Sequence, residues 1–181
     1  EQKFDGALEV YDRLLFMAPD RLDIRLGRAS LLSSLNRARE TFEDLNFIID
    51  EDPEYIEAYY LRGIAYSAAG NYFSAIDDFN KAIEKDPEYA EAYYARAIAQ
   101  IGLNRPGKAT ADLTFCINAD PASAPLYMLR GQTYLGMNLI DRAIVDFCSV
   151  LELDPASSEA YLSRAGALES MGDYDTALVD Y

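Results

Sequence analysis

Apolar positions along the chain fall in two alternating stripes of helical spacing, and the pair of stripes returns every 34 residues. In the clearest unit Tyr59, Arg62, Gly63 and Tyr66 share one face of a first helix, while Ala75, Ile76, Phe79, Ala82 and Ile83 line one face of a second. The same columns recur along the chain. Small residues stand at Ala29, Gly63, Ala97, Gly131 and Ala165 and at Ala7, Thr41, Ala75, Ala109, Ala143 and Ala177, where two helices must approach closely. Large residues stand at Tyr59, Tyr93, Tyr127 and Tyr161 and at Tyr11, Leu45, Phe79, Leu113, Phe147 and Tyr181, where they would fill the space between helices.

Turn chemistry marks the helix ends. Pro19, Pro53, Pro87, Pro121 and Pro155 keep the 34-residue interval without a slip. Four of them follow an aspartate, at Asp52, Asp86, Asp120 and Asp154, and each closes a second helix, since proline removes a donor and disfavours helical geometry in the residue before it. Between the helices of a unit stand Gly70-Asn71 or Asn36, Asn104, Asn138 and Gly172, residues that enter the left-handed conformation at low cost. First helices are therefore expected at 22–35, 56–69, 90–103, 124–137 and 158–171, and second helices at 4–17, 38–51, 72–85, 106–119, 140–153 and from 174 onward.

The run Ala58-Tyr59-Tyr60-x-Arg62-Gly63-x-x-Tyr66, followed by Gly70-Asn71-Tyr72, Ala75-Ile76, Phe79, Ala82-Ile83 and Asp86-Pro87, resembles a tetratricopeptide repeat. The resemblance covers essentially the whole chain, with a partial repeat at 1–21, repeats at 22–55, 56–89, 90–123 and 124–157, and a partial repeat at 158–181. It implies one all-α domain over 1–181, a right-handed superhelical solenoid of antiparallel helix pairs. The unit at 22–55 departs from the pattern with Arg25 and Thr41, and that at 90–123 with Gln100 and Arg105-Pro106-Gly107. The chain begins and stops inside a repeat without polar caps, so it reads as a segment of a longer protein, with Leu8, Tyr11, Leu178 and Tyr181 expected on its uncapped, self-association-prone ends.

Composition narrows the class of function. The net charge is −15, with no basic stripe, so a nucleic-acid backbone would be repelled. No run of apolar residues is long enough to insert in a membrane. Histidine is absent, and there is no phosphate loop, Cys-x-x-Cys or nucleophile elbow, so the chain is read as a binding module with no cofactor rather than an enzyme. Acidic pairs such as Asp77-Asp78 divide between a solvated and a paired helix face. Cys116 falls in an apolar column and Cys148 in the column of Asn46, Asn80 and Thr114, on different faces of neighbouring helices, a pattern that favours unpaired thiols and a reducing compartment such as the cytoplasm.

Two charged columns run in parallel. Arg28, Arg62, Arg96, Arg130 and Arg164 are each followed 16 residues later by Asp44, Asp78, Asp112, Asp146 and Asp180. They could form an arginine ladder for anions or an internal tie between the two helices of each unit. A carboxylate at every rung favours the tie.

The remaining stripe of each first helix would, by resemblance to the family, line a concave surface. Its columns contain no Lys, Arg or Asn, so the basic and amide clamp by which chaperone-binding members hold a peptide carboxylate is missing. Its centre is apolar, at Tyr60, Leu61, Ile64, Tyr94, Ile98, Ile101, Met128, Leu129 and Leu135, with Glu57 and Glu91 at the rim. Such a groove suits an amphipathic segment of another protein with basic flanks, which makes a protein-interaction scaffold the leading expectation. Two alternatives stand beside it, a regulatory or targeting arm of a longer enzyme and a self-associating array. Packing of the stripe against neighbouring first helices competes with the groove reading.

Overall fold

The computed structural model describes residues 2–181, with side chains from residue 6 onward; Glu1, the first residue of the expected partial repeat, lies outside the described residues. Helices run in consecutive pairs: α1 (Gln2–Met17), α2 (Leu22–Ser34), α3 (Ala38–Glu51), α4 (Ile56–Ala68), α5 (Tyr72–Lys85), α6 (Ala90–Gly102), α7 (Pro106–Ala119), α8 (Ala124–Gly136), α9 (Ile140–Leu153), α10 (Ser158–Met171) and α11 (Tyr174–Asp180). No strand occurs among the described residues. The limits agree with the periodicity to within two residues because local chemistry sets them. Asn36, Asn104 and Asn138 take φ of 58°, 55° and 58°, and Gly70 takes 74°. Each turns the chain so that the next N–H donates to a carbonyl five residues back, as Asn71 does to Tyr66 at 2.9 Å. At the other end Asp52 and Asp86 are extended, and their carboxylates accept the backbone N–H of Glu54 and Glu88 at 2.9 and 3.0 Å.

The chain divides into two compact units, Glu1–Ala92 and Tyr93–Tyr181. In the first, successive helices from α1 to α5 pack pairwise, and α2 also touches α4. Its core gathers Ala29, Leu45, Ile48 and Ala58, with Leu26, Tyr55 and Leu61 leaning on it. In the second, α8 and α10 touch as well, and the core comprises clusters around Leu113, Phe147 and Leu168.

Size matching between two columns sets the closeness of each helix pair. A Cβ built on Gly63 would lie 2.5 Å from Phe79 Cε1, and one on Gly131 would lie 2.8 Å from Phe147 Cε1. Where the first helix carries alanine instead, at Ala29 and Ala97, the facing residue shrinks to Leu45 and Leu113. Both combinations fill the same gap, so the four large side chains are all fully buried.

The charged columns meet inside each pair. Arg62 Nε and Nη2 donate to both oxygens of Asp78 at 2.8 and 2.7 Å, and Arg28–Asp44, Arg96–Asp112, Arg130–Asp146 and Arg164–Asp180 repeat that fork at 2.6 to 2.9 Å. The free edge of the guanidinium reaches the preceding second helix, 16 residues back: Arg62 Nη1 donates to Asn46 at 2.7 Å, Arg130 to Thr114 at 3.0 Å, and Arg28 to Asp12 at 2.6 Å. Arg164 meets Cys148 Sγ there at 3.2 Å, so this half-buried thiol belongs to the tie, while Cys116 is buried; neither forms a disulfide. With both edges of the fork engaged, these arginines serve the fold. In the departing unit Arg25 adds a third bond to Asp44 at 3.0 Å and lies over Phe47, and the Thr41 hydroxyl donates to the Arg37 carbonyl.

The ends correct one expectation. Leu8 is buried and Tyr11 half-buried, the latter lying against Gly27, because the periodic stripe of α1 faces α2. The outward face of α1 is Val10, Leu14, Phe16 and Met17 instead. Leu178 and Tyr181 are exposed.

Candidate functional site: an apolar cleft beside α6

In the second unit α6 presents Tyr94, Ile98 and Ile101 on one face, spaced i, i+4 and i+7, and they are 39%, 42% and 37% exposed. Large apolar groups this open at consecutive turns stand out because the opposite face of α6, at Ala92, Ala95, Ala99 and Gln100, is buried. Two clefts adjoin the strip. One of about 390 Å³ lies between Tyr94 and α8, floored by Met128 and Leu129 and edged by Gln132, Asp154, Ser157 and Glu159. The other, of about 250 Å³, is lined by Ile101, Asn104, Pro106, Leu129, Gln132 and Thr133. Gln132 Nε2 donates to Glu159 Oε1 at 3.0 Å across the first cleft, tying α8 to α10.

The expected stripe therefore divides by burial. Leu129 leans on the Ala97–Leu113 cluster, and Met128 and Leu135 on the Ala143–Phe147 cluster, so they are half-buried floor or packing residues. In the first unit Leu61 packs into its own core, Ile64 is half-buried, and Tyr60 sits with ring centroids 6.2 Å from Phe79 and 5.2 Å from Tyr89. Glu57 and Glu91 are exposed at the first turns of α4 and α6, where a negative charge suits the helix dipole. Burial, with Tyr60 and Glu91 next in effect, pushes the Tyr89 phenol up to about 12, and burial followed by Glu91 also raises Tyr60. At α2 the equivalent acid, Asp23, is held down at about 2 by its hydrogen bonds to Arg21.

Models of the tetratricopeptide repeat match residues 56–89, 79–111 and 124–157. Together with the consecutive helix pairs they decide the family. The chain is a tetratricopeptide repeat protein. No curated protein matches it in sequence. Among solved structures it is similar to YrrB, described as a TPR protein with an unusual peptide-binding site, at 21% identity, TM-score 0.83, covering 96% of this chain and 89% of that one. A MamA fragment from Desulfovibrio magneticus RS-1 is similar at 21% identity and TM-score 0.82, covering 89% of this chain and 91% of that one. A tetratricopeptide repeat protein from Parabacteroides merdae ATCC 43184 reaches 26% identity and TM-score 0.72, covering 99% of this chain and 70% of that one.

Within this tetratricopeptide repeat protein, sequence reasoning missed the residues that edge the cleft. Gln132 stands in the same column as Ile64 and Ile98, so its register was legible, but its polarity hid it among apolar neighbours. Asp154 and Ser157 come from the connection after α9, where helical periodicity carries no signal. Among the described residues no helix is long and apolar enough to cross a membrane.

Proposed function

We propose that the protein is an interaction scaffold whose α6–α8 cleft holds the apolar face of an amphipathic segment from another protein. The open Tyr94–Ile98–Ile101 strip beside the clefts carries this reading. The peptide-binding site of YrrB, a protein of like fold, supports it. Asp154 and Glu159 at the cleft edge, in a chain of net charge −15, favour a segment with lysine or arginine flanks. A fluorescein-labelled, designed 18-residue helix with a leucine face and lysine flanks tests the reading by anisotropy. Tyr94→Ser with Ile98→Ser should weaken its binding by about tenfold or more, since each anchor forfeits roughly 1 kcal/mol of burial. Helical content should stay unchanged, and salt should weaken the wild-type complex. Equal binding by wild type and double variant would remove the cleft from consideration.

Association of copies is a second reading, favoured by Phe16 and Met17, 91% and 81% exposed on α1, and by Leu178 and Val179, 72% and 82% exposed on α11. Light scattering over a hundredfold concentration range tests it. A constant monomer mass would end it.

A further inference from the structure

The residue before each first helix and the residue two positions later form a pair of columns whose chemistry changes along the chain. At α2 they are Arg21 and Asp23, joined by a bidentate bond at 2.8 and 2.6 Å. At α4 they are Tyr55 and Glu57, and at α6 Tyr89 and Glu91. The carboxylate persists while its cation is replaced by a ring. No lysine or arginine among the described residues pairs with Glu57 or Glu91 or lies over Tyr60 or Tyr89.

These groups converge in the first unit. Tyr60 and Tyr89 form an aromatic corner, with centroids 5.2 Å apart and planes inclined by 51°, and both residues are half-buried. Glu57 lies one turn before Tyr60 on the same face of α4, and Glu91 follows Tyr89 into α6. The negative charges of both glutamates contribute to raising the Tyr89 phenol, which places both carboxylates within electrostatic reach of the corner. This fold already shows how it holds a guanidinium: Arg62 lies over the Tyr59 ring at 5.8 Å while forking onto Asp78, and Arg130 lies over Tyr127 at 5.7 Å while forking onto Asp146. Ring and carboxylate together are its standing arrangement for arginine.

We infer that Tyr60, Tyr89, Glu57 and Glu91 form a socket for an arginine side chain presented by a partner protein, the guanidinium lying against the rings and forking onto the glutamates. Arginine is assigned over lysine because Arg21 fills the equivalent position by a planar, two-point contact that an ammonium cannot copy. The socket rests on the scaffold reading only for the source of the arginine. Its own chemistry is tested separately from the α6–α8 cleft.

The test is an NMR titration of the full chain, with tyrosine ring signals assigned, against N-acetyl-arginine amide, N-acetyl-lysine amide and N-acetyl-citrulline amide. The arginine probe should shift Tyr60 and Tyr89 saturably, about tenfold more tightly than neutral, near-isosteric citrulline, as expected for a cation–π contact reinforced by carboxylates. Glu57→Gln with Glu91→Gln, exposed changes that leave the helices intact by circular dichroism, should abolish the saturable shift. Tyr89→Phe, which keeps the ring, should retain it, and Tyr94→Ser with Ile98→Ser should not alter it. Citrulline binding as well as arginine, lysine binding more tightly than arginine, survival of the shift in the double Gln variant, or equal shifts of all tyrosines would each overturn the socket.

Discussion

Truncating Arg62 to alanine should be among the most destabilising single changes in the first unit. Asp78 is buried, its side chain 7% exposed, and among the described residues the only donors to its carboxylate are Arg62 Nε and Nη2. Removing them leaves an uncompensated buried charge, which costs about 3 to 5 kcal/mol. The structure holds its own comparison. Asp44 is equally buried, but after Arg28→Ala it keeps the 3.0 Å bond from Arg25, so that variant should lose about 1 to 2 kcal/mol. Arg39→Ala, where the Glu43 pair is 90% and 60% exposed, should change stability by less than about 1 kcal/mol. In thermal melts followed by far-ultraviolet circular dichroism, the Arg62 variant should fall by about 10 °C. Because the protein is built of repeats, urea melts with probes in each unit check that the loss is local. Arg62→Met keeps the aliphatic stem and isolates the charge. If Arg62→Ala costs no more than Arg28→Ala, or if Arg62→Met is neutral, the uncompensated-carboxylate argument is wrong.

Three further outcomes follow from packing and titration. Gly63→Ala should cost about 1 to 3 kcal/mol from the 2.5 Å approach to Phe79, outweighing alanine's helix propensity, and Phe79→Leu in the same chain should recover much of it by recreating the Ala97–Leu113 combination; a stabilising Gly63→Ala would refute the size matching. Tyr89, raised to about 12 chiefly by burial, keeps its proton longer in the folded than in the unfolded state, so its contribution is complete below about pH 10 and is lost as pH rises toward 12. Melting temperatures across that window should fall less steeply in Tyr89→Phe, and an unchanged slope would count against the burial argument. Gln100 is buried, and among the described residues its Oε1 has no hydrogen-bond partner, so Gln100→Leu should gain about 1 kcal/mol in a chemical melt, and a loss would show that the amide is used.

Much of this molecule is written locally. Helix limits, left-handed corners at Asn36, Asn104 and Asn138, and Asp–Pro exits follow from the dihedral preferences of single residues, and the 34-residue interval places Arg62 opposite Asp78 as soon as two helices fold back on each other. Burial is different, because it depends on what another repeat brings to the same place. Ile98 and Ile64 share a column, yet Ile98 is 42% exposed and Ile64 half-buried. Leu8 and Tyr11 turn inward because α2 covers them, and Tyr89 meets Tyr60 only because the chain after α5 returns to α4. Periodicity records which side of a helix a residue occupies; the separation and size of the groups facing that side are set by side chains tens of residues away, and only the packed structure brings them together.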